Sequence, residues 1–189
     1  MKTKSLWFLR QKEVGFREEE LGTPKENEIL VETLYSGISH GTEHLIYRGE
    51  VAEGLQLDSS VKTLKGRFPF PVKYGYSNVG KVIETGEKVS GLQKEDVTFA
   101  FNPHETKYVI SEKEAVKLPA DTSLLHGVFI ASVETAINVV LDSGIKLGES
   151  LVIFGQGTVG LFITQLVRKS GADKVFTVDR GCPTITNNQ

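Results

Sequence analysis

Cysteine is nearly missing from this sequence, with Cys182 the only one among 189 residues. A single thiol cannot build an intrachain disulfide framework, and it excludes a zinc lobe made of several cysteines. A reducing cytoplasm is the simplest compartment for such a chain. Long apolar runs are lacking as well: no stretch approaches the ~18 consecutive apolar residues of a membrane span. The start, Met1 to Arg10, sets Lys2, Lys4 and Arg10 among a few apolar residues and has no long apolar centre of a signal peptide. Nor is one sign of charge in excess, since 22 Lys and Arg face 24 Asp and Glu for a formal net charge of -2. No broad basic field exists to hold a polyanion, so nucleic acid is excluded along with the membrane as a partner class.

The residues that are present fall into two textures. The composition, 39% hydrophobic and 24% charged, is that of an ordinary globular chain. From Ser5 to about Pro119, short β-type runs alternate with glycine and proline, a pattern of an antiparallel barrel or sandwich. The expected strands are Ser5 to Leu9, Ile29 to Tyr35, Val79 to Glu84, Val97 to Phe101 and Lys107 to Ile110. Thr42 to Tyr47 has room for a helical turn, and Val51 to Gly66 reads as a long loop of the kind that is commonly functional. After Pro119 the spacing predicts one helix over Ser123 to Ser143, closed by Gly144. Leu151 to Phe154 then runs apolar without alternation, as a strand buried on both faces does. A helix from Thr158 to Ser170 and a second strand from Val175 to Val178 complete a parallel βαβ unit.

Between that first strand and helix lies Gly155-Gln156-Gly157-Thr158-Val159-Gly160. A glycine loop alone means little, but this one follows a strand, opens a helix and precedes a strand ending at Asp179, near the ~20-residue spacing of a ribose-binding acid. Gly155 permits the tight turn, Gly157 lets backbone approach a pyrophosphate, and Gly160 lets helix and strand pack closely. The helix N-terminus offers N–H groups and partial positive charge to phosphates. Asp179 would accept hydrogen bonds from ribose hydroxyls and repel a 2′-phosphate, favouring NAD, whereas Arg180 beside it could pair with that phosphate and admit NADP. The plain alternatives are a crossover without ligand and, for Asp179, a solvated strand end.

The order of motifs resembles the medium-chain dehydrogenase/reductase superfamily, the alcohol dehydrogenase relatives. The resemblance is carried by Ser36-Gly37-Ile38-Ser39-His40-Gly41-Thr42-Glu43, Gly75-Tyr76-Ser77-Asn78-Val79-Gly80-Lys81-Val82, Ala131-Ser132-Val133-Glu134-Thr135-Ala136 and the glycine loop. It implies a GroES-like, partly open β-barrel over residues 1–122 and part of a Rossmann domain over 123–180, with 181–189 an unstructured tail. It also implies nicotinamide-dependent hydride transfer on a small alcohol or carbonyl, with a second copy of the chain as a further partner. A complete dinucleotide fold needs about six strands, so the chain reads as a C-terminally truncated member with apolar edges and one sheet face left uncovered. A truncated, non-catalytic fragment or binding module of the same family is the competing reading.

The chain departs from the zinc members where they carry ligands. Their first segment has a cysteine where this one has Ser39 or His40, depending on the alignment. Their Gly-His-Glu becomes Gly75-Tyr76-Ser77, and a second cysteine becomes Ala131. Catalytic zinc needs about three nitrogen, sulfur or carboxylate ligands, so no zinc is expected, and the resemblance is to zinc-independent branches. A metal held instead by His40, Glu43 and His44 would exploit a shared helix face, with ordinary surface side chains the plainer reading. Without zinc, a substrate carbonyl must be polarised by a hydrogen-bond donor or a proton relay. The candidates are His40 and Thr42, whose segment the resemblance puts at the inter-domain cleft, and Tyr76 at a former ligand position, with His104 a lesser one. The ordinary readings beside them are a capping threonine, a half-buried tyrosine and a solvated loop histidine. Glu134 is read as solvent-facing or paired with a lysine.

Overall fold

A computed structural model of the chain describes residues 1–52, 68 and 70–180. The long loop expected over Val51 to Gly66 lies almost wholly outside the described residues, as does the tail from Gly181. The chain divides into two compact units between Phe129 and Ile130.

In the first unit, β1 (Lys2–Arg10) pairs antiparallel with β2 (Glu13–Glu20) on one side and β4 (Val72–Lys73) on the other. A five-stranded antiparallel sheet holds β3 (Glu28–Ser36), β5 (Asn78–Thr85), β6 (Val97–Ala100), β7 (Lys107–Ser111) and β8 (Ala115–Lys117), in the order β7-β3-β5-β6-β8. The two sheets are stitched where Leu6 N–H donates to His104 O and Thr106 N–H to Lys4 O, each at 2.9 Å, so the whole curls into a partly open barrel. Alternation explains the large sheet: Ile29, Val31, Val82, Ala100, Tyr108 and Ile110 point inward from successive strands and are buried together. A second cluster, Phe8, Ile46, Phe68, Val72 and Tyr74, seats α1 (Thr42–Arg48) on β1 and β4. β2 was not expected, because its sequence EVGFREEE is largely charged. It forms as a sheet edge with Phe16 76% exposed, where pairing rather than burial holds the strand.

Polar groups also bind the small sheet across β1. Lys73 Nζ donates to Glu19 Oε2 at 2.8 Å and to Glu105 Oε2 at 3.2 Å, while Ser5 Oγ donates to the same two oxygens at 2.5 and 3.2 Å. Desolvation is the largest influence on both charged groups and opposes their charges, but hydrogen bonds and attraction together outweigh it. Glu19 is thereby held below the usual 4.5 and Lys73 above the usual 10.5. A depressed carboxylate contributes stability above its unfolded value and loses it as pH falls through the folded one. A raised amine contributes below its unfolded value and loses it as pH rises through the folded one. The difference in melting temperature between the native chain and Lys73→Met should therefore be widest between pH 4.5 and 10.5 and shrink beyond either end. A difference that stays constant from pH 3 to pH 11 in ~0.1 M salt would show that the network contributes only packing.

The single helix expected over Ser123 to Ser143 is broken. α2 (Leu124–Gly127) and α3 (Ile130–Asp142) are separated at Val128, whose carbonyl accepts a hydrogen bond from the buried Ser77 hydroxyl instead of continuing the helical ladder. α2 stays with the barrel, where a Cβ on Gly127 would lie 2.8 Å from Val79 and 2.9 Å from Leu118.

The second unit holds β9 (Ser150–Phe154), α4 (Thr158–Lys169) and β10 (Lys174–Val178), a parallel pair in register from Ser150↔Lys174 to Phe154↔Val178. α4 packs on one face of the pair and on α3, burying Val167, Val175 and Ala136. The expectation that β9 is buried on both faces is corrected: Phe154 is 79% and Val152 54% exposed. Among the described residues of this unit the helices cover only the face of Leu151 and Val175, so the other face carries its apolar side chains outward. No helix among the described residues is long and apolar enough to cross a membrane.

Candidate functional site

The glycine loop stands at the junction of β9 and α4. Gly155 takes φ +87°, a left-handed turn that favours glycine, and its N–H donates to Val178 O at 2.7 Å, fixing the turn to the end of β10. Gly160 is held by sterics, since a Cβ there would lie 1.9 Å from Gly155 O. Gly157 is different. Its φ is -73°, which any residue adopts, and a Cβ would meet nothing within 4 Å. Neither the φ angle nor packing among the described residues calls for glycine at 157. The space in front of it is where α4 begins, at Thr158, without a side-chain cap on its first turn.

Gln156 lies across this loop. Its Nε2 donates to Gly155 O at 3.1 Å, and its Oε1 accepts from Thr164 Oγ1 at 3.2 Å. Its backbone N–H donates to Asp179 Oδ2 at 2.6 Å. The acid at the end of β10 therefore holds the loop itself, a role the sequence reading did not assign. The donors of the first helical turn, the open ground before Gly157 and the half-buried Asp179 form a cradle that fits a dinucleotide's phosphates and ribose. Arg180 is exposed beside it.

In the first unit, the reading of His104 as a solvated loop histidine is overturned. The imidazole is 8% exposed and lies in a line of polar groups. Its Nδ1 meets Ser36 Oγ and its Nε2 meets Glu43 Oε1. Glu43 is 2% exposed, and its second oxygen accepts the Ser39 N–H at 2.5 Å. Gly75, at φ +138°, admits the ring, because a Cβ there would lie 2.8 Å from His104 Cδ2. This buried acid was readable in part. Glu43 and Ile46 share one face of α1, and a carboxylate beside a core isoleucine requires a buried partner.

Of the other sequence candidates, His40 is exposed on the loop before α1, and Thr42 is exposed as the first residue of α1. Tyr76 is half-buried, edge-on to Tyr74 at 6.1 Å. The His40 and His44 rings lie 5.3 Å apart, but Glu43 between them in sequence turns to His104, so the three do not converge. Among the described residues, no group of three His, Cys, Asp or Glu side chains is placed to hold a metal ion. Glu134 is exposed on α3. Beside α1 and the β1–β2 hairpin lies an open groove of about 350 Å³ walled by Leu6, Phe8, Val14, Ile38 and Tyr47, with Glu43 contributing to its lining. A depression of about 490 Å³ at Lys25–Glu28 and Ser111, lined mainly by exposed turn residues, has no comparable chemistry.

No family model matches the chain. It is 25% identical to D-xylulose reductase A of Aspergillus niger over a region covering 81% of this chain and 48% of that protein. A shorter match, 33% identical over 72 residues, joins it to the D-xylulose reductase A of Aspergillus oryzae. The fold is that of CAD from Helicobacter pylori, solved with NADP(H), with a TM-score of 0.75 at 16% identity over 94% of this chain and 58% of that one. Galactitol-1-phosphate dehydrogenase from Escherichia coli gives a TM-score of 0.72 at 18% identity over 92% of this chain and 55% of that one. The chain thus spans about half the length of the relatives it matches. In sequence the chain is thus similar to D-xylulose reductases, and in fold it is similar to solved dehydrogenases, with a partly open barrel followed by the beginning of a βαβ unit.

Proposed function

We propose that the chain binds a nicotinamide dinucleotide along Gly155 to Gly160, and that it serves hydride transfer between this cofactor and a small alcohol or carbonyl compound without a catalytic zinc. The observation that carries the reading is Gly157, whose ordinary φ and empty surroundings leave an external ligand as the reason for a missing side chain. The cofactor, when bound, supplies and takes the hydride. The protein's part is to bind and orient. The first-turn N–H groups of α4 receive the pyrophosphate, with Gln156, Thr158 and Val159 shaping the turn. Asp179 receives a ribose hydroxyl while keeping its bond to the Gln156 N–H. A carboxylate there disfavours a 2′-phosphate, so NAD is preferred, with Arg180 the residue that would favour NADP. His40, Thr42 and Tyr76 are the proposed donors to a substrate oxygen, as imidazole, hydroxyl and phenol respectively. The donor set at the family's zinc positions, Ser39 or His40, Tyr76, Ser77 and Ala131, supplies too few ligands of the types zinc takes, and no step is routed through a metal.

Calorimetric titration of the chain with NADH and with NADPH tests this directly. NADH is expected to bind about tenfold more tightly than NADPH, a difference of ~1.4 kcal/mol. An absence of heat with either at millimolar concentration would refute cofactor binding by this polypeptide, and a preference for NADPH would overturn the role given to Asp179.

A further inference from the structure

β2 is the outer strand of the small sheet, and among the described residues nothing pairs with its free side. Which main-chain groups face that side follows from the end of the hairpin. The Met1 ammonium donates to Leu21 O at 2.9 Å and the Leu21 N–H donates to Met1 O at 2.7 Å, so this pair exchanges both bonds. In an antiparallel ladder such pairs recur at every second residue, which gives Thr3 with Glu19, Ser5 with Arg17 and Trp7 with Gly15. The residues between them turn N–H and C=O away from the partner strand. On β1, Lys4 and Leu6 do so and bond to Thr106 and His104. On β2 the corresponding residues are Val14, Phe16, Glu18 and Glu20, whose main chains face the open edge.

Charged side chains ordinarily guard an open edge, and those of β2 guard it against unrelated strands. They do not guard it against a second copy. Reversed about Gly15, the stretch Lys12-Glu13-Val14-Gly15-Phe16-Arg17-Glu18 meets itself with Lys12 opposite Glu18, Glu13 opposite Arg17 and Val14 opposite Phe16. Opposite charges face each other and no like charges do. Moving the axis to Phe16 sets Glu13 against Glu19, and moving it to Arg17 sets two guanidiniums together. A register displaced by a single residue would oppose an outward main chain to an inward one.

The side chains concerned are available. The Arg17 guanidinium lies 4.6 Å over the Trp7 ring and forms no ion pair with a described carboxylate. Glu13 meets Arg10 through Oε2 at 2.5 Å, which leaves Oε1 to accept. Phe16 is 76% exposed, and Val14, 44% exposed, borders the apolar groove walled by Leu6, Phe8, Ile38 and Tyr47. A second Phe16 placed opposite Val14 would cover both.

We propose that two copies of this chain associate by antiparallel addition of β2 to β2 across a two-fold axis at Gly15. Val14 exchanges main-chain hydrogen bonds with the partner's Phe16, and Glu13 pairs with the partner's Arg17, each contact repeated by symmetry. The surface belongs to the barrel alone and is independent of the cofactor reading. A contact of one strand pair falls below the ~1,200 Å² of stable complexes, so a dissociation constant of roughly 100 µM is expected.

Sedimentation equilibrium of the whole chain from ~10 µM to ~1 mM should show monomer passing to dimer. Over the same range the Val14 and Phe16 amides should become protected from hydrogen exchange, whereas those of Gly15 and Arg17, already bonded to β1, are protected throughout. Glu13→Arg and Arg17→Glu should each weaken self-association at least ~10-fold with unchanged circular dichroism, because each sets like charges opposite one another. An equimolar mixture of the two variants should restore it to within about threefold of the native chain, since every opposed pair is again of opposite sign. A chain that stays monomeric to ~1 mM would leave the edge to a foreign strand and overturn the proposal. So would a dimer indifferent to both substitutions, as association through the exposed face of β9 would give, or a loss that mixing does not restore, or Val14 and Phe16 amides that stay unprotected in the dimer.

Discussion

Gly157→Val is expected to abolish measurable NADH binding, a loss of more than 100-fold or ~2.7 kcal/mol, while the far-ultraviolet circular dichroism stays as it is and the melting temperature falls only by the small cost of a poorer N-cap on α4. The separation of the two effects is the point of the experiment. Valine is compatible with φ -73°, and its Cβ would meet none of the described residues within 4 Å, so the fold resists it only through the poorer N-cap. The side chain would instead fill the ground that a pyrophosphate must enter, and desolvate the first-turn N–H groups of α4 without giving them an acceptor. Calorimetry reads the affinity, and dichroism reads the fold. A variant that binds NADH within threefold of the native chain would remove the reason offered for glycine at 157. Gly160 supplies the contrast, because a Cβ 1.9 Å from the Gly155 carbonyl oxygen must displace α4 or the turn, and alanine there would lower stability and affinity together.

The largest effect on stability is expected from Phe99→Ala. Phe99 is fully buried in the middle of β6, opposite Val79 on β5 and Val116 on β8, and meets Phe101 edge-on at 5.1 Å. Removing a buried phenylalanine costs about 3–5 kcal/mol through lost transfer energy and the cavity left behind. That is a large share of the ~5–15 kcal/mol available to a domain, and corresponds to a fall of roughly 10–20 °C in melting temperature for a unit of this size. The sequence provides its own reporter. Trp7 is the single tryptophan and belongs to β1, so its fluorescence follows the barrel and not the βαβ unit. A fall below 3 °C in the tryptophan-monitored transition would mean that the cavity collapses far more completely than close packing of the sheet allows.

Legibility in the sequence followed the range of the forces involved. β1, β3, β5, β6 and β7 were readable because alternating side chains and glycine breaks are local signals, and so was the glycine loop, whose neighbours in space are also neighbours in sequence. β2 escaped because an edge strand needs only a partner for its backbone, and its charged side chains carry no trace of that partner. The break at Val128 depends on Ser77, 51 positions away, and the burial of His104 depends on Glu43, 61 positions away. Periodicity contains no record of such pairs. For the same reason Glu43 was considered as a ligand beside His40 and His44, its sequence neighbours, when its partner lies on another strand's approach. The expected double-sided burial of β9 erred in another way. An apolar run records what a strand tolerates on both faces, whereas coverage by the described residues is one-sided.

If Asp179 holds the ribose as proposed, its bond from the Gln156 N–H bears on how cofactor choice could change. A basic residue at 179, one route to accepting a 2′-phosphate, would also delete one of the acceptors, beside Val178 O, that hold the glycine turn to the end of β10, whereas asparagine would keep an acceptor oxygen there. On the proposed reading, selectivity and loop architecture share one carboxylate, and a basic substitution there would trade one against the other. A basic replacement that keeps the turn intact needs a compensating acceptor for that N–H. Paired changes, one at 179 and one within reach of Gln156, are the evolutionary signature to seek among relatives that use the other dinucleotide.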